Sequence, residues 1–319
     1  MKNRPYEFLL FSIVALVLIV FSQLPNWAGW SAQDAEMSFN GIYFDAADYS
    51  VHIAAMESGI QGNWLYQLLF TTENQKPAAI KLFYILLGHI SNLFKLPAEV
   101  TYQISIWTMG YLALFSIFFL CKLLFRRKVL YWSAFFLAVM GSGLGWLQLS
   151  LGWTPGPITP IDFWLIDAYV FFSISLFPHF SFQIAMLALS LYFYLKFLGS
   201  HRWEWILAIS VACLLVEMVN PISLVVLDVA IFICTLFQDN KNRKSINKSW
   251  LAVMVIIIIQ VPLFFYNIKI LTQDPIYRQF SAQNLTLSPP LIYYLLGFGS
   301  FWPFVLIGSI RAWNERNGP

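Results

Sequence analysis

Apolar stretches long enough to cross a lipid bilayer recur along almost the whole chain of 319 residues. A helix needs roughly 20 residues to cross the hydrocarbon layer, and backbone amides in lipid must be paired within helices or closed barrels. The chain is 59% hydrophobic and 11% charged, where soluble proteins carry roughly a quarter charged residues. The two-residue alternation of a membrane β-barrel is absent. The sequence therefore predicts an all-α, polytopic bundle of transmembrane helices, forming one integral membrane domain over residues 1–319 with the lipid bilayer as its partner.

Nine segments have the length and apolarity of a crossing, and a tenth is marginal. The nine are 8–24, 78–94, 100–124, 129–151, 179–199, 203–219, 222–237, 249–268 and 290–310. The tenth, 163–178, is short and contains Asp167. It is either a further crossing or a re-entrant or interfacial helix.

The basic residues predict the orientation of the chain. Lys2 and Arg4 place the N-terminus in the cytoplasm, so the loop 25–77 after the first crossing is external. This loop contains six of the sixteen acidic residues. The later basic residues fall on the cytoplasmic face only if 163–178 crosses, and this count leaves Arg126, Arg127 and Lys128 outside, against the rule. We expect an integral protein of a bacterial plasma membrane.

Charge and cysteine spacing exclude several other classes of function. The net charge is +3, and the only dense basic run lies within 241–248, so we expect no nucleic-acid partner. Cys121, Cys213 and Cys234 lie in or beside apolar runs without CxxC spacing. We interpret the cysteines as packing residues and predict no metal site built from them.

The segment 43–66 of the external loop carries the most informative polar pattern. Asp45, Asp48, Tyr49 and His52 share one face at helical spacing, which predicts a short helix at the membrane surface. A carboxylate held there beside apolar groups and a histidine has the raised basicity that a general base needs. The alternative is that Asp45 caps the helix and Asp48 favours the helix dipole.

This segment resembles the first external loop of the GT-C superfamily of polytopic glycosyltransferases. The resemblance rests on the acidic motif, the Gly-Asn-Trp turn at 62–64 and the following Pro-led apolar segment KPAAIKLFYILLGHISNLFKLP. It continues more weakly through GSGLGWL, FPHF and VNP. About 50 residues carry motif-like similarity, and two alanines separate the two aspartates of the motif.

The resemblance implies transfer of a sugar from a polyprenyl-phosphate donor to a glycan, lipid or protein acceptor at the external face. Asp48, or Asp45 in a different register, would act as base on the acceptor hydroxyl, and the anomeric configuration would be inverted. Lys76, before Pro77, is the candidate to neutralise the leaving phosphate. The resemblance requires no cofactor, and the need for a divalent cation stays open.

Further polar residues near the ends of the predicted crossings are candidates for substrate binding. His179 and Glu217 are placed at external ends, His52 lies on the Asp48 face, and Trp64 either stacks on a sugar or anchors the loop at the interface. His89 either faces the donor phosphate or bonds a neighbouring helix.

Two other functions compete with the transferase. In a transporter or flippase, Asp228, His89 and Glu217 would line a path at the midplane, although such proteins usually have paired repeats, which this sequence does not show. In a non-catalytic membrane subunit, the loop 25–77 would bind a partner.

Overall fold

The computed structural model describes residues 4–152, 160–237, 243–283 and 288–317. Within these ranges the chain is helical and contains no β-strand, and a single bridge pairs Tyr66 with Ala78. The all-α class predicted from the sequence is therefore confirmed. The α-helices in chain order are α1 (Arg4–Ser22), α2 (Leu24–Ser31), α3 (Ala46–Ile60), α4 (Leu82–Phe94), α5 (Ala98–Leu124), α6 (Lys128–Met140), α7 (Gly145–Ser150), α8 (Val170–Leu176), α9 (Pro178–Ser200), α10 (Trp203–Glu217), α11 (Pro221–Leu236), α12 (Arg243–Gln273), α13 (Pro275–Gln283), α14 (Leu291–Gly297) and α15 (Trp302–Asn317).

Four of the described helices are long and apolar enough to cross a membrane. They contain Pro5–Ser22, Ala98–Leu124, Pro178–Ser200 and Asn247–Gln273. A fifth crossing results if α14 and α15, which meet at 85°, form one broken span. Several such helices in one chain indicate an integral membrane protein.

Glu7 fixes the relative direction of the first long helices. Its carboxylate forms an ion pair with Lys122 at the end of α5 and accepts a hydrogen bond from Tyr131 in α6. The start of α1, the end of α5 and the start of α6 therefore lie at one end of the bundle, here called the basic end. The opposite end, with α3 and the start of α5, is called the acidic end. Arg126, Arg127 and Lys128 thus lie at the same end as the start of α1, so the count that separated them is wrong.

Helix α4 begins and ends at the acidic end. Lys81, which precedes α4, interacts electrostatically with Asp48 of α3. Near the other terminus of α4, the Ser91 hydroxyl lies 3.0 Å from the Thr101 hydroxyl in the first turns of α5. The predicted crossing at 78–94 is therefore wrong: the 13 helical residues of α4 pack beside α3 and run in the same direction, with Tyr84 on His52 and Gly88 on Met56. This removes one crossing and with it the conflict over residues 126–128.

Two glycines bring α3 and α4 into backbone contact. A Cβ atom on Gly59 would overlap the carbonyl oxygen of Ile85, and one on Gly88 would overlap that of Met56. Neither overlap can be relieved by turning a side chain. The crossing of α3 over α4 therefore requires glycine at both positions.

We predict that Gly59→Ala and Gly88→Ala each lower the free energy of unfolding by about 3 kcal/mol, since the added methyl meets backbone. The measurement is the thermal unfolding midpoint of the purified protein in detergent. Gly199→Ala in α9 is the control, because a Cβ there meets nothing within 4 Å, and it should leave stability unchanged or raise it by up to about 1 kcal/mol. Equal midpoints for all three variants would contradict the described α3–α4 contact.

Two other expected crossings are interrupted. Residues 163–178 form the end of the 3-10 helix Ile161–Phe163, a second 3-10 helix at Ile166–Ala168, and the seven-residue α8. A helix of that length spans about 10 Å, a third of the hydrocarbon layer, so this segment does not cross as one helix. The span 129–151 breaks after Met140 at Gly141–Leu144. A Cβ on Gly143 there would overlap Gly297, so this glycine-rich turn is packed against the end of α14.

The remaining long helices alternate between the two ends. Tyr102 near the start of α5 donates to the carbonyl of Leu176, so α9 begins at the acidic end. Near the basic end, Tyr194 of α9 is hydrogen-bonded to Thr235 of α11. One apolar core fills the bundle among α1, α5, α6 and α9 to α12, and a second lies beneath α3 and α4. The second core supports the candidate site.

Candidate functional site

The start of α3 presents two carboxylates in different ways. Asp45 has a left-handed backbone (φ 50°), and its carboxylate accepts a 3.3 Å hydrogen bond from the amide of Asp48. Asp45 therefore acts as the N-cap, which is the alternative role that the sequence analysis gave it. The side chain of Asp48 lies in the first turn and takes no part in this cap. Both residues are exposed.

Asp48 and Lys81 carry opposite charges and lie close enough to affect each other's pKa, although no direct ion pair joins them in the described structure. Although Asp48 as a whole residue is exposed, partial burial of its carboxylate raises its pKa, the charge of Asp45 adds to this rise, and Lys81 opposes it. Burial lowers the pKa of Lys81, while Asp48 raises it. A carboxylate with raised basicity beside an ammonium group suits proton transfer next to a bound anion.

Beside this pair lies a cavity of about 210 Å³ at the acidic end. Its polar lining comes from four separate parts of the fold: the turn before α4 and its start, the start of α9, the end of α10 and the C-terminal third of α12. These side chains are Lys81, Tyr84, His179, Glu217 and Asn267. His179 and Glu217, which the sequence placed at helix ends on the same side, line the same cavity although they are 38 residues apart in the chain.

The cavity contains one carboxylate and one hydrogen-bonded pair of side chains, which are Glu217 and the pair Tyr84–His179. Glu217 is 1% exposed, and its two carboxylate oxygens have no hydrogen-bond partner among the described residues. The hydroxyl oxygen of Tyr84 lies 2.5 Å from Nδ1 of His179. Because a buried carboxyl group without a partner is costly, Glu217 is available to a hydrogen-bonding ligand.

His52 lies below the cavity rather than in its lining. Its ring stacks on Tyr84 at 4.0 Å and meets His179 edge-on at 5.0 Å. It is 2% exposed, and burial, followed by the nearby His179 and Lys81, holds its pKa well below the usual value. The buried His52 supports the ring of Tyr84 and is not placed to contact a ligand in the cavity.

Two residues that the sequence assigned to substrate lie away from this cavity. Lys76 is exposed, and its backbone carbonyl accepts a 3.4 Å hydrogen bond from Tyr277. Trp64 is 61% exposed and stacks on His89 at 4.0 Å. His89 also bonds the carbonyl of Asn63 at 3.1 Å, so it does not face the cavity near a donor phosphate.

Lys81 is the functional candidate that the sequence analysis missed. It lies within the stretch 78–94, which was interpreted as a crossing. An ionisable residue inside an apolar segment is a signal of function in membrane proteins. That signal could have identified Lys81 in place of Lys76.

An apolar groove runs down the outside of the bundle from α3. Its upper part, about 910 Å³, lies between α3 and the start of α5, and its lower part, about 430 Å³, lies between α1 and α5. Trp107 lines both parts. Tyr49 lines the upper part, and its buried hydroxyl has no hydrogen-bond partner among the described residues. The groove therefore joins a polar rim to an apolar cleft along the long helices.

No group of three or more His, Cys, Asp or Glu side chains in the described ranges could hold a metal ion. Comparison of the chain with models of protein families, with curated proteins and with solved structures found no match.

Proposed function

We propose that this protein is an inverting membrane glycosyltransferase that moves a sugar from a polyprenyl-phosphate donor to an acceptor, with Asp48 as the general base. The observation that carries the proposal is that Asp48 and Lys81 lie close enough to affect each other's pKa, and that Lys81 lines a small cavity into which Glu217 brings an unpartnered carboxylate. The same chain has helices long enough to cross a membrane. The family resemblance of the first loop points to the same chemistry.

In the proposed reaction, the acceptor hydroxyl attacks the anomeric carbon of the donor sugar. Its proton moves to Asp48 as the new C–O bond forms, and the bond between the anomeric carbon and the phosphate oxygen breaks with its electron pair on that oxygen. Lys81 neutralises the polyprenyl phosphate that leaves, the role that the sequence gave to Lys76. A single displacement inverts the configuration, so no second carboxylate nucleophile is needed.

The cavity and the groove support a lipid-linked sugar as donor. A volume of about 210 Å³ is below the roughly 300–1,000 Å³ of pockets for drug-sized ligands, which fits one sugar ring. Glu217, Asn267 and His179 offer that ring hydrogen bonds. The groove lined by Ile53, Ile104 and Trp107 would take the hydrocarbon chain.

We further propose eight crossings with the N-terminus in the cytoplasm and the acidic end outside a bacterial plasma membrane. The crossings are the four long helices α1, α5, α9 and α12, the bent pair α14–α15, and three shorter helices that run between the same two ends, α6, α10 and α11. This places Arg126, Arg127 and Lys128 inside together with Arg202 and the basic start of α12, as the positive-inside rule requires. Of the basic run 241–248, Lys241 lies outside the described residues, and only the backbone of Arg243 and Lys244 is described.

The pH dependence of transfer tests the role of Asp48. Its carboxylate must be ionised to accept a proton, so kcat/KM should fall as the pH falls through the raised pKa of Asp48. Asp45→Asn removes the charge that raises this pKa and should move the acid limb to lower pH. Lys81→Met removes the charge that lowers this pKa and should move the limb to higher pH.

The profile is measured with purified protein in nanodiscs and undecaprenyl-phosphate hexoses or pentoses as donors. The two variants should shift the acid limb in opposite directions, and Lys76→Met, without a link to Asp48, should not shift it. Shifts in the same direction, or none, would exclude Asp48 as the titrating base.

The transporter alternative requires Asp228, His89 and Glu217 to line one path, and His89 does not lie with the other two. Asp228 accepts a 3.2 Å hydrogen bond from Gln260 and lies near Glu217, but His89 is at the other side of α4, against Trp64. The three side chains do not form one path. The transporter predicts Asp228→Asn as the damaging change, whereas the transferase predicts Asp48→Asn.

A further inference from the structure

A second polar pocket lies at the far end of α3 from Asp48. Its volume is about 460 Å³, and it is formed by the last turns of α3, the turn that follows and Pro77. Side chains that offer amide or carboxylate groups line it, namely Glu57, Gln61, Asn63 and Gln67. Such groups match the paired donors and acceptors of sugar hydroxyls.

The indole of Trp64 forms one wall of this pocket and is held in place from the protein side. It stacks on His89 with ring centroids 4.0 Å apart and an angle of 25° between the planes. His89 is itself fixed by its 3.1 Å hydrogen bond to the carbonyl of Asn63. Even so, 61% of Trp64 stays exposed, so its free face can contact a ligand. Because the indole is already held in place, little side-chain entropy is lost when a ligand binds to it.

The turn that carries Trp64 is also well defined. Gly62 has a φ of 92°, and the amide of Asn63 bonds the carbonyl of Ser58 at 3.1 Å. On the other side, Gln67 donates to the carbonyl of Gln75 at 3.1 Å. The walls of the pocket are therefore positioned by backbone contacts before any ligand binds.

We propose that this pocket binds a sugar residue of the acceptor, and that the acceptor is an extended oligosaccharide. This inference rests on the proposed glycosyl transfer. Gln61 is thirteen residues from Asp48, or about 20 Å along the helix, so a single monosaccharide cannot reach both. An aromatic face with surrounding amides recognises the apolar face of a sugar ring and its hydroxyls together. The competing role of Trp64, an anchor at the lipid interface, does not use the amides.

The test is saturation-transfer NMR on the full-length protein in nanodiscs with cellohexaose, mannohexaose and chitohexaose. At least one of the three should bind, and Trp64→Ala and Gln61→Ala should each weaken its binding about tenfold. Trp64→Phe should stay within about threefold of the wild type, because it keeps an aromatic face. Trp146→Ala is the matched control, since Trp146 is 60% exposed in α7, and it should bind as the wild type does.

No saturation transfer from the protein to any of the three oligosaccharides, or equal binding by the wild type and Trp64→Ala, overturns the inference. Asp48→Asn should bind the oligosaccharide normally. Transfer activity with no effect of Trp64→Ala would remove the pocket and leave the proposed function, whereas normal binding without consumption of any donor would remove the proposed function.

Discussion

Asp48→Asn should reduce sugar transfer about 1,000-fold, since general base catalysis typically contributes 10²–10⁴-fold. The amide has the shape of the carboxylate but cannot accept the proton of the acceptor hydroxyl. The measurement is the initial rate of transfer from undecaprenyl-phosphate sugars in nanodiscs. The unfolding midpoint of the variant should match that of the wild type, because the side chain of Asp48 takes no part in the cap of α3.

Asp45→Asn is the matched control for this change. Asparagine caps helices as well as aspartate does, so the bond to the amide of Asp48 is kept while the charge is removed. The expected loss of transfer is less than about tenfold, since only the pKa of Asp48 changes. A larger loss in Asp45→Asn than in Asp48→Asn would reverse the assignment of the base, and full activity of Asp48→Asn would refute it.

Lys81→Met should reduce transfer about 100- to 1,000-fold, the range found when one group that stabilises transition-state charge is removed. Methionine keeps an apolar stem against the cavity wall but leaves the charge on the departing phosphate without a counter-ion. Single-turnover rates at saturating donor separate this effect from weaker donor binding.

Lys76→Met supplies the comparison, because Lys76 is exposed and does not line the cavity. Its expected effect on the single-turnover rate is less than about threefold, as for an exposed charge at a distance. If Lys76→Met were the slower of the two variants, Lys76 would be the residue that neutralises the leaving phosphate, as the sequence predicted, and the assignment of Lys81 would be refuted.

The helical class and the site helix were predictable because both depend on local patterns. The apolar stretches exclude other classes whatever their packing. The spacing of Asp45, Asp48 and His52 predicted a helix here, which is α3, and a capping aspartate marks its start. The spacing did not predict that Asp48 stays exposed while His52 is buried. The sequence could not decide which aspartate caps and which stays available, since either choice satisfies the same periodicity.

The role of residues 78–94 was not predictable from hydropathy. The segment is apolar enough to cross, but its helix starts only after Lys81, whose backbone is left-handed (φ 54°). Gly59 and Gly88 then allow α4 to pack on α3 instead. Helix–helix contacts of this kind are tertiary, and no hydropathy window contains them.

The same limit explains the outcome for the site residues. His179 and Glu217 were predicted from their positions at helix ends, and the ends of α9 and α10 do meet. Lys76 and Trp64 were chosen by closeness in sequence to the motif. The turn 61–67 and the hairpin around Tyr66 and Ala78 carry them away from the cavity.

The proposed sugar transfer requires that the purified protein consume a lipid-linked sugar. Proteoliposomes would contain the wild type or Asp48→Asn together with radiolabelled undecaprenyl-phosphate mannose, glucose or arabinose and a cell-envelope extract as acceptor. We predict that the wild type releases undecaprenyl phosphate from one of these donors, with label in the acceptor, and that Asp48→Asn does not. If all three donors stay intact with the wild type, the proposed transferase is contradicted. Equal release by both proteins would exclude Asp48 as the base.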